Sequence, residues 1–328
     1  MADYSYLNDK TILVTGGTGT FGRAFVKKLL SVPEIKKVII FSRDEFKQSV
    51  MQNEIKDGRL RYFLGDIRDF PRLERAFNGV DIVVHAAALK QVPALEYNPL
   101  EAIKTNVLGT QNVVDAALNN NVEKVIFISS DKAVQPVNLY GASKLCAERI
   151  VISANAYRGE NKKSMFSVVR YGNVIGSRGS IVELVAQRRH TGVLPLTDER
   201  MTRFWIKVEN VMNIILNGLN IMEGGEIFVP KMKSLKVADV LKTLAPECRL
   251  ETVGVRPGEK MHEILITEYE SPRAKDVGDM YAILPEFSEV HRPSKHKDKP
   301  SFPKESVYES SHKDFLLPAE MAKNILEL

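Results

Sequence analysis

An apolar run rich in strand formers, Thr11-Ile12-Leu13-Val14, breaks into a turn with glycine at every third place, Gly16, Gly19 and Gly22. The turn opens at once into residues 24–30, whose apolar positions recur at helical spacing. Glycine at those places permits a tight reversal, allows close approach to the backbone, and leaves the first amides of the helix free to face an anion. A strand, a glycine turn and a helix in that order form the start of a dinucleotide-binding unit, with Gly16, Thr18, Gly19, Thr20, Phe21 and Gly22 as candidate phosphate contacts.

The alternation continues. Lys37 to Phe41 reads as a second strand, ending about twenty residues past the glycines, where the adenosine ribose is read. Ser42 and Arg43, with Lys47 a turn later, favour a 2′-phosphate and therefore NADP over NAD. Asp44 keeps NAD open, because a shift of one or two residues makes it a ribose acceptor. Arg61 to Leu64 gives a third strand; after it, Asp66 either accepts from the adenine amino group, with Ile67 packed on the ring, or caps the helix Phe70 to Phe77. Val80 to Ala88 is a fourth strand whose small exit residues, Ala87 among them, let a cofactor lie flat. His85 inside that apolar run reads as a hydrogen-bonded core histidine, and Lys90 beyond it is placed to meet cofactor or substrate.

Helices are expected over Asn98 to Leu118 and Ser143 to Ala156, on either side of a fifth strand, Val125 to Ile128. Asp131 and Lys132 follow that strand and should emerge at its C-terminal edge, where open α/β sheets bind ligands. Pro136 delays the next helix to Asn138, a candidate N-cap, so Tyr140 and Lys144 fall on one helical face a turn apart. Four proton-carrying groups thus converge on one crevice. Met165 to Arg170 is a further strand; Asn173, in the Gly-rich loop after it, suits a diphosphate or sugar hydroxyl, or simply forms a turn.

The fold class expected is α/β: a Rossmann-type doubly wound parallel sheet with a smaller, discontinuous α/β substrate-binding domain. The boundaries are 1–172 for the nucleotide domain, with 205–230 returning to it, 173–290 for the substrate domain, and 291–328 for an irregular C-terminal segment. Val208 to Met222 and Val237 to Leu244 read as helices, and Glu251 to Val255 as a strand leading to Arg256, a candidate phosphate clamp.

A net charge of +5, spread along 328 residues, favours an anionic small molecule over nucleic acid. No apolar run reaches the ~20 residues of a membrane helix, and residues 1–4 lack signal-peptide character, so a cytosolic protein is expected. Cys146 and Cys248 read as buried free thiols. His291, His296 and His312 lack metal-ligand spacing and read as solvated surface, with no metal expected.

With the glycine turn, Tyr140-x-x-x-Lys144 and the Asp131-Lys132 pair in hand, the chain resembles the extended short-chain dehydrogenase/reductase superfamily. Within it, the chain is similar to the inverting UDP-N-acetylglucosamine 4,6-dehydratases of pseudaminic acid pathways. The likeness runs through His85 to Lys90, Arg170 to Asn173, Met201 to Trp205 and Arg256 to Lys260. It implies that Tyr140, as a phenolate whose pKa Lys144 lowers, takes the C4 hydroxyl proton during oxidation. Lys132, its pKa depressed, then removes the C5 proton while protonated Asp131 donates to the departing C6 hydroxyl. It implies substrate contacts at Lys90, Asn173, Thr197, Arg256 and Glu259, and homo-oligomers, dimers or hexamers, built on the two helices beside the site. The alternatives are a UDP-sugar 4-epimerase on the same scaffold and a non-catalytic NADP-sensing module.

Overall fold

The computed structural model describes residues 4–157, 159, 164–176, 179–287, 294–304 and 306–326. The chain starts β1 (Thr11–Thr15), α1 (Thr20–Leu30), β2 (Lys37–Ser42), α2 (Glu45–Glu54), β3 (Leu60–Leu64), α3 (Phe70–Phe77) and β4 (Ile82–His85). Then come α4 (Val92–Tyr97), α5 (Pro99–Ala102), a π-helical turn over Ile103–Leu108, α6 (Gly109–Asn119), β5 (Lys124–Ile128), α7 (Leu139–Tyr157) and β6 (Met165–Val169). The second half runs β7 (Asn173–Val174), α8 (Ile181–Arg188), β8 (Val193–Leu196), β9 (Thr202–Ile206), α9 (Val208–Ile221), β10 (Ile227–Pro230), β11 (Lys233–Lys236) and α10 (Val237–Leu244). It ends with β12 (Arg249–Thr252), β13 (Ile264–Ile266), β14 (Ala274–Asp276), β15 (Met280–Ile283), β16 (Tyr308–Glu309) and α11 (Ala322–Leu326).

Nine strands form one sheet in the order β14-β15-β10-β6-β5-β4-β1-β2-β3. From β10 to β3 every pairing is parallel, and β15 and β14 close one side antiparallel. The chain winds outward through β2 and β3, then crosses to β4 on the other side of β1. That reversal leaves a crevice at the C-terminal ends of β1 and β4, where Thr15 stands opposite His85. Strands β1, β4 and most of β5 are buried on both faces, which explains their continuous apolar runs. Each such side chain contributes about 1.5–3 kcal/mol on burial.

Helix starts follow local chemistry. Asp44 caps α2 by accepting from Lys47 N at 2.9 Å, and Asp69 caps α3 by accepting from Arg72 N at 3.1 Å. Asn138 Oδ1 accepts from Gly141 N at 2.8 Å, as its position before α7 suggests.

Several expectations need correction. The single helix expected over Asn98–Leu118 is interrupted by the π turn, because Asn106 reaches across to hold Leu89, donating to its carbonyl at 2.9 Å and accepting from its amide at 2.8 Å. Within the 205–230 segment β10 joins the large sheet, and so do β14 and β15, which lie in the stretch allotted to the substrate domain. The described parts of the tail are not merely irregular. Phe302, Tyr308 and Phe315 pack edge-on with Tyr281 and Phe204, and the Tyr308 hydroxyl donates to the Met232 carbonyl and accepts from its amide, both at 2.6 Å. Cys146 is exposed on α7, although Cys248 is buried and both are free. His296 is buried, its Nε2 donating to the Ile221 carbonyl at 3.0 Å, while His312 is exposed and His291 lies outside the described residues.

Candidate active site

A cleft of about 1020 Å³ opens over the C-terminal ends of β1, β4 and β5. Its floor is the glycine turn. Gly16 has φ +68°, and a Cβ on Gly22 would stand 2.6 Å from the Gly16 carbonyl oxygen, so α1 can approach the turn only without side chains there. Thr18, Gly19, Thr20 and Phe21 line the same floor.

One end of the cleft is lined by Ser42, Arg43, Asp44, Lys47 and Ile67. Gln48 fixes Ser42 by donating to its carbonyl at 3.1 Å and its hydroxyl at 2.9 Å. Asp44 is taken by its helix cap and by the Lys47 ammonium. Asp66 does not cap α3, a role that belongs to Asp69. Instead its carboxylate accepts from Arg68 at 2.7 Å and meets Arg43 at 3.5 Å, and it stays off the cleft wall. Small residues Ala86 to Ala88 and Lys90 line the flank.

His85 is a core residue, as read from its strand. Thr110 donates its hydroxyl to the Asn106 carbonyl, so it accepts from His85 Nε2 at 3.1 Å; His85 Nδ1 then accepts from Thr15 Oγ1 at 2.7 Å. Burial, helped by the charge of Lys144, drives its pKa down to about 3, so the ring is neutral.

The four proton-carrying residues come together. Lys132, Tyr140 and Lys144 line the cleft, and Asp131 lies fully buried behind them. Asp131 Oδ1 accepts from the Ser130 hydroxyl at 2.8 Å and from the Lys132 ammonium at 3.0 Å. Ser130 also accepts from Lys132 N at 3.3 Å and hydrogen-bonds the Tyr140 side chain. Lys144 donates to the Ile128 carbonyl at 2.6 Å.

The electrostatics differ from expectation in two places. Burial alone would depress Lys132, but Asp131 and Glu263 outweigh it and hold the ammonium well above the usual lysine range. Tyr140 is also raised, chiefly by burial, with the Lys132 charge and Ser130 opposing. The depressed lysine is Lys144, which burial brings down to about 7 against the pull of Glu148. The proton thus stays on Lys132, and the roles expected of the pair require its transfer to Asp131 across the 3.0 Å contact.

Asn173, on β7, lines the cleft beside Tyr171 and Trp205. Thr197, Arg256 and Glu259 do not. They lie on loops past the paired strands β8 and β12, with the Arg256 side chain largely exposed and 3.8 Å from Glu259. Asn138 ties that loop to α7, donating to the Gly258 carbonyl at 2.7 Å.

Sequence reading missed Ser130, whose place directly before Asp131 was the available signal. It also missed Thr105, Ser129, Ser180 and Trp205, cleft-lining residues whose buried side-chain polar atoms have no hydrogen-bond partner among the described residues. Orphans of this kind mark a surface built for a polar ligand. With the side-chain-free glycine turn and the small flank at Ala86 to Ala88, they fit a nicotinamide dinucleotide.

Residues 12–285 match the family model described as polysaccharide biosynthesis protein. The chain belongs to that family. A Campylobacter jejuni member, UDP-N-acetylglucosamine 4,6-dehydratase (inverting), is 48% identical over 88% of this chain and 86% of its own. A Rickettsia canadensis relative, UDP-glucose 4-epimerase, is 40% identical over 84% and 83%. Among solved structures, Pen from Bacillus thuringiensis superposes with a TM-score of 0.90, at 36% identity and 98% coverage of both chains. A dTDP-glucose 4,6-dehydratase from Streptomyces venezuelae, DesIV, solved with NAD bound, gives 0.67 at 26% identity, over 76% of this chain and 86% of its own. Identity of 48% with a 4,6-dehydratase over most of both chains makes this chain a nucleotide-sugar dehydratase, a hydro-lyase on a dinucleotide-binding fold. Among the described residues no helix is long and apolar enough to cross a membrane.

Proposed function

We propose that the protein converts UDP-N-acetylglucosamine to UDP-2-acetamido-2,6-dideoxy-β-L-arabino-hexos-4-ulose, eliminating water across C5 and C6 with inversion at C5. The observation that carries this is the Asp131–Lys132 pair at 3.0 Å beside Tyr140, an acid and a base an epimerase does not need. NADP, when bound, would supply a hydride acceptor that is also the donor, so that the cycle needs no external reductant. Gly16, Thr18, Gly19, Thr20, Phe21 and Gly22 would hold its pyrophosphate, and Ser42, Arg43 and Lys47 its 2′-phosphate.

The chain's residues move the protons. Tyr140, acting as the phenolate, takes the C4 hydroxyl proton; the Lys132 charge and the Ser130 hydroxyl favour that form against the effect of burial. Lys132 passes its proton to Asp131 and, as a free amine, removes the proton at C5 that the 4-ketone has acidified. Asp131, now a carboxylic acid, protonates the C6 hydroxyl as it leaves as water; once C6 regains its hydride, a solvent-derived proton entering C5 from the opposite face completes the product and inverts that centre. Lys90 and Asn173, on the cleft wall, would face the sugar nucleotide; Thr197, Arg256 and Glu259, on loops off that wall, would have to swing toward it to serve as the expected contacts.

We place the reaction in the cytoplasm, at the first step of a pseudaminic acid-type sugar pathway, in a homo-oligomer. The exposed Tyr97, Leu100 and Leu108 on the α4–α6 face suit such a contact. The epimerase-named relatives favour a second reading, a UDP-sugar 4-epimerase. Incubation with UDP-N-acetylglucosamine in deuterated water decides. Deuterium at C5 of a 4-keto-6-deoxy product is expected; a C4 epimer without loss of water would overturn the reading.

A further inference from the structure

We propose that Glu263 is the positioning residue for Lys132, holding its ammonium at the cleft from a segment 131 residues further along the chain. The inference rests on Lys132 being the base at C5.

Glu263 is buried, with a side chain 3% exposed. Its Oε1 lies 3.7 Å from Lys132 Nζ and 3.7 Å from Arg203 Nε, and its Oε2 lies 3.5 Å from Lys260 Nζ. Oε2 accepts no hydrogen bond among the described residues. The backbone is pinned independently: Glu263 N donates to Ser310 Oγ and Ser310 N to the Glu263 carbonyl, both at 2.9 Å.

The three cations are not equally dependent on it. Arg203 donates to the carbonyls of Thr202, Lys260 and Met261, and Lys260 donates to the Val134 carbonyl. Those bonds fix them without Glu263. Among the described residues the Lys132 ammonium donates to Asp131, its own chain neighbour. A contact between adjacent residues leaves the long side chain free to pivot, and a second anchor from the segment just before β13 stops it. A buried carboxylate with an unsatisfied oxygen is costly, and apolar replacements at such sites are often neutral or better for stability. Its presence here has a reason in what it holds.

Glu263 also favours the tautomer with the proton on lysine and so sets the pH at which the amine is released. The charged groups around Lys132 are Asp131, Glu263, Arg203 and Tyr140; those around Glu263 are Lys132, Arg203 and Lys260, while His262 turns to Thr202 Oγ1 at 2.8 Å.

The test is a pH profile of kcat for the cofactor-loaded, full-length protein with UDP-N-acetylglucosamine. In Glu263→Gln, kcat should fall by about 10-fold or more while KM changes by less than about 3-fold, and the limb due to Lys132 should move about one unit to lower pH. Glu263→Asp keeps the charge and should leave that limb near its place at an intermediate rate. Because Asp is the milder change, it carries the test alone if the Gln variant fails to retain cofactor: an intermediate rate supports the proposal and parental kcat overturns it. An unmoved limb in Glu263→Gln, or a rise in KM with kcat intact, also overturns it. Lys132→Ala separates the two ideas. If it still exchanges deuterium at C5, the base assignment fails; if it is inert while Glu263→Gln behaves as the parent, only the positioning role fails.

Discussion

A methyl group on Gly141 would stand 2.1 Å from the carbonyl oxygen of Lys132. No side chain fits there, so the first turn of the helix carrying Tyr140 rests directly on the backbone of the residue beside it. Gly141→Ala must push these two apart. We expect a loss of about 1–3 kcal/mol in stability from overpacking, and a fall in kcat of about 10-fold or more because the two groups no longer meet one sugar. Denaturant midpoints and steady-state rates measure both; an Ala variant with parental kcat would show that the separation is not critical.

Asp131→Asn and Lys132→Ala each remove one half of the eliminating pair. Both should lower formation of the 4-keto-6-deoxy product by about 10²–10⁴-fold, the usual worth of a general acid or base. Retained dinucleotide, read from the absorbance of the purified protein, shows that the cleft survives. Undiminished product from either variant removes the assignment.

Lys144 gives a pH signature in stability. Its pKa is near 7 when folded and in the ordinary lysine range when unfolded, so between about pH 7 and pH 10 the unfolded chain binds more protons. Stability contributed at this site therefore rises with pH across that window and is flat below it. Lys144→Met abolishes the dependence. Relative to the parent, the variant should lose ground by about 2–4 kcal/mol between pH 7 and pH 10. Parallel unfolding curves at several pH values would contradict this.

Arg170 is 1% exposed and makes paired hydrogen bonds to Glu148, at 3.1 and 2.8 Å, and to Glu270, at 3.1 and 3.0 Å. Arg170→Met leaves two buried carboxylates facing each other and should cost about 3–5 kcal/mol. Adding Glu148→Gln and Glu270→Gln should recover much of it, since no charge is then stranded. A single variant within about 1 kcal/mol of the parent would mean the carboxylates relax to water.

Arg43 is half-exposed, and its ion pair with Asp66 is loose at 3.5 Å. Arg43→Ala should weaken NADP binding by about 10-fold or more and NAD binding far less, measured by titration of the dinucleotide-stripped protein. Equal losses for both would point to a shared adenosine contact instead.

The nucleotide half was legible because its signals are local. The glycine turn, the strand from Val125 to Ile128 and the four-residue spacing of Tyr140 and Lys144 each specify geometry within a few residues. Asn138 is a case in point: Pro136 and the polar side chain mark the cap without any tertiary knowledge. What escaped depends on residues far apart in the chain. The proton on Lys132 is held by its neighbour Asp131 and also by Glu263, 131 positions later, which no local pattern announces, and the tail is ordered by aromatic packing of Tyr308 on Phe204. His296 read as surface because nothing near it in sequence says that the Ile221 carbonyl will reach it. Arg256 and Glu259 carry a motif, but the motif does not say that their loop stands outside the cleft wall.

Strand β10 seals the flank of β6, and β15 and β14 seal β10 in turn. A ribosome making this chain therefore releases the glycine turn, both active-site lysines and Tyr140 long before the sheet that supports them can be finished. Until residue 283 has cleared the exit tunnel, the nascent nucleotide half presents a bare, sticky border to its neighbours. The cell must shield that border during synthesis, and a fragment ending near residue 172 inherits the same exposure permanently.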